Sequence, residues 1–241
     1  MNLPNITKKL LLANFILFLL DVLLQRYGYS LSRVCGLHFV GASGFHIWQP
    51  LTYMFMHANW SHILCNMFAV LVFGPTLEES WGGKKFLIYY LVCGIGAAIV
   101  QECVWALELR PMLASMDSAA IATATNRLVT IGASGAVFGV LFAFGWLFPD
   151  GQIYLYFLIP MRARTFVILY ALIELFAGLV PTEGDNVAHF AHLGGMLFGW
   201  LLLLWWRHGW RFKFPKLGRR NDKDYESNNK DYSNFHYQKR V

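Results

Sequence analysis

Charged residues are scarce in this chain. Only 14% of its 241 residues are Asp, Glu, Lys or Arg, whereas soluble domains carry about 25%. The mean hydropathy is +0.43, and this combination excludes an ordinary soluble domain. The net charge is +6, which we attribute to loops that meet anionic lipid headgroups rather than to a nucleic-acid partner. The sequence therefore predicts a polytopic membrane protein.

The signatures of several other chemistries are missing as well. The sequence has no His-Glu-x-x-His motif of a zinc metalloprotease, and no two apolar runs that each carry an aspartate for an aspartyl protease. There are four cysteines, mostly inside apolar runs, where a free thiol serves as a small hydrophobic group. No internal repeat of the transporter type is found. We therefore expect no metal, no cofactor and no disulfide.

Six apolar runs dominate the sequence. A membrane-spanning helix needs roughly 20 such residues, with about 17 as the lower limit, so the fourth and fifth runs are short. The runs are Leu10 to Gln25, Ser61 to Leu77, Phe86 to Leu107, Ala133 to Phe148, Phe166 to Val180 and Ala188 to Trp206. The first connection, Gly28 to Trp60, is itself apolar and is predicted to lie in the membrane interface. The prediction is an all-α protein with six transmembrane helices and a long interfacial first loop.

The basic residues predict the orientation and the domain boundary. Sixteen of the 20 Lys and Arg residues fall on one side if both termini share it, and that side is expected to be cytoplasmic. Residues 207–241 are polar and basic, so we predict a disordered tail after a domain at 1–206. The absence of a transit peptide or long N-terminal extension favours a bacterial inner membrane.

The stretch TIGASGAVFG places a serine between glycines at the start of the fourth run. Pro149 ends this run after about 16 residues, or roughly 24 Å, which is short of the roughly 30 Å hydrocarbon core. Ser134 should therefore lie below the outer surface, beside a polar cavity. Gly132 and Gly135 permit close backbone approach, and the helix start offers N–H groups to an anion.

Histidines in two other runs are possible partners of Ser134. In VAHFAHLGGMLFG, His189 and His192 are three residues apart, and Gly195 and Gly199 form a close-packing motif. In HANWSHILCN, His62 and Asn66 share a helix face, and His57 precedes them. We expect all three to line the same outward-facing cavity.

These motifs together resemble the rhomboid family of intramembrane serine proteases. The resemblance covers roughly Leu10 to Trp206, and it implies a Ser/His dyad. Ser134 would be the nucleophile and His192 its general base, because Ala191, His192, Gly195 and Gly199 fit the family's AHxxGxxxG pattern. The implied activity is endoproteolysis of transmembrane segments in single-span or polytopic membrane proteins.

The resemblance also implies supporting roles for other residues. His57 and Asn66 would donate to the oxyanion, His62 would support them, and Phe138 would stack under His192. Glu78 fits the pattern and would anchor the cytoplasmic end of the second span.

Three matters stay open at this point. A catalytically inactive rhomboid-like binder of membrane proteins is one alternative function. A metal transporter using His57, His62, His189 and His192 is a weaker one, because it leaves Ser134 unexplained. Glu174, in the fifth run, is either a protonated packing residue, which we favour, or part of a gate against the second span. Substrate identity and oligomeric state are not predicted.

Overall fold

The structure is a computed structural model that describes residues 3–113, 117–155, 158–180 and 187–208. The predicted, mainly helical fold is confirmed, and a helix covers all or nearly all of each of the six apolar runs. These helices are α1 (Asn5–Gln25), α4 (Trp60–Trp81), α5 (Gly83–Leu113), α7 (Ser134–Leu147), α8 (Ala163–Leu179) and α9 (His189–His208). Three of these helices, α4, α5 and α9, contain a stretch that is long and apolar enough to cross a membrane. Helix α7 is apolar but shorter.

The connection between α1 and α4 is folded rather than extended. It contains α2 (Leu31–Cys35), β1 (Leu37–His38), α3 (Gln49–Thr52) and a 3-10 turn at Tyr53–Phe55. The fully buried Gln49 side chain accepts from the His38 N–H and donates to the carbonyls of Val34 and Gly44. One amide side chain therefore joins three parts of this loop.

The connection between α5 and α7 contains regular structure. Helix α5 continues to Leu113, and α6 (Ser118–Asn126) follows. Asp117 caps α6 by accepting from the Ala120 N–H at 2.8 Å. Strand β2 (Val129–Thr130) then pairs antiparallel with β1, so the approach to Ser134 is tied to the first loop.

The chain is not entirely helical. Strands β3 (Gln152–Leu155) and β4 (Ile159–Arg162) form an antiparallel hairpin between α7 and α8. The turn at Pro149–Gly151 ends α7, because proline cannot continue a helix. The Ala163 N–H donates to the Gly151 carbonyl at 2.7 Å, which fixes the start of α8. The all-α prediction is wrong at this hairpin.

Glu78 joins the end of α4 to the start of α1. Its carboxylate accepts from the backbone N–H groups of Ile6 and Thr7 and from the Thr7 hydroxyl, at 2.7 to 2.9 Å. An anion at the positive end of a helix is stabilising. Gly82, at φ +81°, ends α4 in a conformation that favours glycine.

The central helix is α7, on which nine of 14 residues are buried. Helix α9 approaches it closely through glycines. A methyl group built on Gly195 would overlap the main-chain carbonyl of Gly135, and one on Gly199 would overlap the Tyr89 hydroxyl. We call the contact between Gly135 and Gly195 the glycine contact. It sets the separation between the backbones of α7 and α9.

Gly195→Ala is expected to destabilise the protein by about 1 to 3 kcal/mol, because the added methyl group forces two helix backbones apart. Thermal unfolding in detergent measures this change. Leu197→Ala serves as the control, since Leu197 is exposed on the same helix. Equal melting temperatures for Gly195→Ala and the unmodified protein would show that the helices do not pack this closely.

The chain divides into two units, residues 1–204 and 205–241. Of the second unit, the structure describes only residues 205–208, the end of α9. The predicted disordered tail at 207–241 therefore lies almost wholly outside the described residues.

Candidate active site

Ser134 is the first residue of α7. Its N–H consequently has no acceptor within the helix. Gly132, two residues earlier, has φ +132°, a region that favours glycine. A methyl group there would lie 2.7 Å from His62 Nε2 and 3.6 Å from Ser134 Oγ. The glycine therefore lets the His62 ring approach the turn that carries Ser134.

His192 lies in the first turn of α9, facing Ser134. Its Nε2 is 2.8 Å from Ser134 Oγ, which is hydrogen-bonding distance for a hydroxyl donating to an imidazole nitrogen. The ring lies over Phe138, one turn along α7 from Ser134, with centroids 4.3 Å apart and planes inclined by 5°. The two groups expected to act together thus contact each other directly, and stacking fixes the imidazole plane.

Glu174 is a member of this cluster that the sequence did not identify. The carboxylate is buried on α8, and its Oε2 lies 2.7 Å from His192 Nδ1 and 2.7 Å from His189 Nδ1. The packing role that we favoured is therefore incomplete, because the side chain hydrogen-bonds both histidines. Nothing in the local sequence indicated this, since both partners lie on another helix.

A cavity of about 1070 Å³ opens beside Ser134. Its polar lining includes Ser134, His192, Glu174, His62 and Asn66. The rest of its wall is mainly apolar and comes largely from α4, α7 and α8, with Phe68, Val72, Phe166 and Tyr170 among its members. A cavity of this character suits a segment that is itself apolar.

His62 presents a donor towards this cavity. The Ala58 N–H donates to His62 Nδ1 at 3.4 Å, so in the neutral ring the proton resides on Nε2. Nε2 is also the ring nitrogen that lies next to the Gly132 turn. The side chain can therefore offer an N–H close to Ser134.

Asn66 lies one helical turn after His62 and is buried at the cavity wall. Its Nδ2 donates to the His62 carbonyl at 2.9 Å. An amide nitrogen carries two N–H groups, so one hydrogen bond of this kind leaves the other N–H for a ligand in the cavity.

His57 is placed differently from our expectation. We predicted that His57, His62 and Asn66 would all line one cavity, but His57 is only 3% exposed and does not contribute to the cavity wall. Its ring meets the His62 ring edge-on at 5.1 Å. Neither of its nitrogens has a hydrogen-bond partner within the described residues. The loop before α4 is buried at Met56 and His57, so the His57 ring packs against His62 instead of facing the cavity.

Burial, reinforced by the neighbouring His62, lowers the pKa of His57 to about 3. The ring is therefore neutral near pH 7, because the low-dielectric surroundings disfavour its charged form. A neutral, enclosed ring suits packing against His62.

One group of side chains in the described part of the chain could hold a metal ion, namely Glu174, His189 and His192, whose ligand atoms lie within 4.8 Å of one another. Two of the four histidines considered for a transporter site, His189 and His192, belong to this group. The other two, His57 and His62, lie around the start of α4. The four do not form a single metal-binding group.

Comparison with known proteins identifies the family of this chain. The Rhomboid domain profile matches residues 44–208. The mitochondrial RHOMBOID-like protein 6 of Arabidopsis thaliana is 32% identical over 168 residues, which cover 68% of this chain and 46% of that protein. The chloroplastic Rhomboid-like protein 11 of the same plant is 33% identical over 66% of this chain and 51% of that protein.

A bacterial relative is also similar. Rhomboid protease AarA of Providencia stuartii is 29% identical over 64% of this chain and 54% of its own length. The chain thus spans about half the length of these relatives. Because the relatives include mitochondrial and chloroplastic proteins, the comparisons do not support our assignment to a bacterial inner membrane. With the profile covering most of the chain, and with apolar helices of spanning length around the site, this chain belongs to the rhomboid family of integral membrane proteins.

Proposed function

We propose that this protein is an intramembrane serine endopeptidase that cleaves transmembrane segments of membrane proteins. The single observation that carries the proposal is the 2.8 Å contact between Ser134 Oγ and His192 Nε2 at the wall of a largely apolar cavity. A nucleophile and a base within hydrogen-bonding distance are the signature of covalent catalysis. The name of the bacterial relative, a protease, agrees with this function.

In the proposed reaction, Ser134 Oγ attacks a peptide carbonyl while His192 Nε2 takes the hydroxyl proton. The negative oxygen of the tetrahedral intermediate accepts hydrogen bonds from the Ser134 N–H, from Asn66 Nδ2 and from His62 Nε2. We therefore exchange the roles first given to the two histidines, so that His62 is the donor and His57 supports it. His192 then returns the proton to the leaving amine, and water hydrolyses the acyl-enzyme.

The substrate segment must unwind locally before it reacts, because helical carbonyls are hydrogen-bonded within their own helix. We further propose that α1, α4, α5, α7, α8 and α9 all cross the membrane and that both termini are cytoplasmic. The 14 residues of α7 span about 21 Å at 1.5 Å per residue. This length agrees with a site below the outer surface and open to water from that side.

The decisive experiment incubates the purified protein in detergent with a single-span model substrate and maps the products by mass. Cleavage inside or next to the apolar segment supports the proposal. Co-purification with the substrate but no cleavage under any condition would instead favour the catalytically inactive binder.

Removal of divalent metal is expected to leave the cleavage rate unchanged, because no step of the proposed serine mechanism uses a metal ion. The measurement is the initial rate before and after dialysis against a strong chelator, with metal content determined in both samples. A zinc protease treated in parallel is the positive control. Stoichiometric zinc, together with activity that is lost on dialysis and regained with zinc, would contradict the serine mechanism.

A further inference from the structure

The carboxylate of Glu174 occupies an unusual position, because a single oxygen serves two histidines. Oε2 lies 2.7 Å from Nδ1 of both His189 and His192. A protonated oxygen could donate to only one of them, whereas an ionised oxygen accepts from both. The geometry thus fits a carboxylate that accepts two N–H hydrogen bonds.

We propose that Glu174 is a positioning residue for His192, so that the Ser134/His192 pair works with a third, carboxylate member. This inference rests on the proposed function. A neutral imidazole carries one proton, and the acceptor at Nδ1 holds the proton there. Nε2 is then left with its lone pair directed at the Ser134 hydroxyl, as a general base requires.

The contact between Glu174 and His192 has a second effect when His192 becomes positively charged during the reaction. As His192 takes the Ser134 proton it becomes an imidazolium, although its side chain is buried. A carboxylate at 2.7 Å stabilises this cation through a charge-assisted hydrogen bond. Glu174 keeps its own charge throughout and exchanges no proton, so its effect is on orientation and electrostatics.

His189 completes the arrangement by holding the carboxylate. Its Nδ1–H donates to the same oxygen that His192 uses. Glu174 Oε2 therefore accepts hydrogen bonds from two residues that are one turn apart on α9. Glu174 is one of the buried residues of α8, and it lies towards the C-terminal end of that helix. Ionised carboxylates are buried only when they are paired or hydrogen-bonded, and the two histidines meet this need.

The test compares Glu174→Gln and Glu174→Asp with the unmodified protein. Glutamine keeps the shape and loses the charge, so kcat is expected to fall at least about tenfold with little change in KM. Aspartate keeps the charge on a shorter side chain and should recover part of that loss. Labelling of Ser134 by a serine-directed fluorophosphonate is expected to slow in parallel with kcat.

Two further variants serve as comparisons. Glu102→Gln neutralises a carboxylate in the second half of α5, one that accepts from the Val40 N–H at 2.9 Å. This variant is expected to keep the normal kcat. His189→Ala leaves the contact between Glu174 and His192 intact, so its loss of kcat should be smaller than that of Glu174→Gln.

The proposal is overturned if Glu174→Gln cleaves and labels at the normal rate. A change confined to KM, or a loss of kcat accounted for by the unfolded fraction in a thermal melt, also overturns it. Failure of the proposed function would look different, because the unmodified protein would then neither cleave nor label at Ser134.

Discussion

Ser134→Ala and His192→Ala are each expected to lower the cleavage rate by about four orders of magnitude or more, and the double variant should be little worse than either. Alanine at 134 removes the attacking oxygen, and alanine at 192 removes the group that takes its proton at 2.8 Å. Because the two act on one proton transfer, losing either removes the whole step. The measurement is the initial rate of substrate cleavage for all three variants at equal folded concentration.

The control for this prediction is folding. Ser134 is at the start of α7 and only partly buried, so Ser134→Ala should melt at nearly the temperature of the unmodified protein. Either single variant retaining a tenth of normal activity, with the cleavage product at the same peptide bond, would show that Ser134 and His192 are not the nucleophile and base.

Asn66→Ala and His62→Ala are each expected to lower kcat by about 10² to 10³ with little effect on substrate affinity. Both side chains line the cavity and have an N–H to offer beside Ser134. A donor that meets charge only in the transition state contributes to turnover rather than to binding of the ground state. The measurement is kcat and KM for each variant with the same substrate.

His57→Ala is the matched control for this second prediction. The His57 ring is buried behind His62 and outside the cavity wall, so its removal should reduce thermal stability more than turnover per folded molecule. The reverse pattern, with His57→Ala losing turnover and His62→Ala losing only stability, would restore the roles that the sequence first suggested.

The six helices were predictable because each corresponds to an apolar run. Pro149 marked the end of α7, whereas α4 begins directly after the Asn59 cap and continues beyond the predicted Leu77 to Trp81. The pairing of Ser134 with His192 was expected from the resemblance to the rhomboid family, and the glycines beside both residues agree with close packing there. Apolar runs and glycine motifs are local signals, and a sequence displays them directly.

The remaining features depend on contacts between distant segments. His57 and His62 are five residues apart, and only the fold of the preceding loop decides which ring faces the cavity. Glu174 is a single carboxylate in an apolar run, and its role is evident only from its contacts with His189 and His192 on α9. The β3–β4 hairpin lies in the connection between the fourth and fifth runs, to which the sequence analysis assigned no structure. The turn signal Asp150–Gly151 comes before β3 and marks the end of α7 rather than the turn of the hairpin.

The glycine contact between α7 and α9 also predicts how the protein can recover from damage. In an ordinary core, an enlarged side chain can be compensated by shrinking its neighbour. A methyl group at position 195 meets the carbonyl group of residue 135, and every amino acid carries that group. No substitution at residue 135 can therefore make room, so genetic selection for suppressors of Gly195→Ala should return reversion to glycine or distant stabilising changes, but no compensating partner at residue 135.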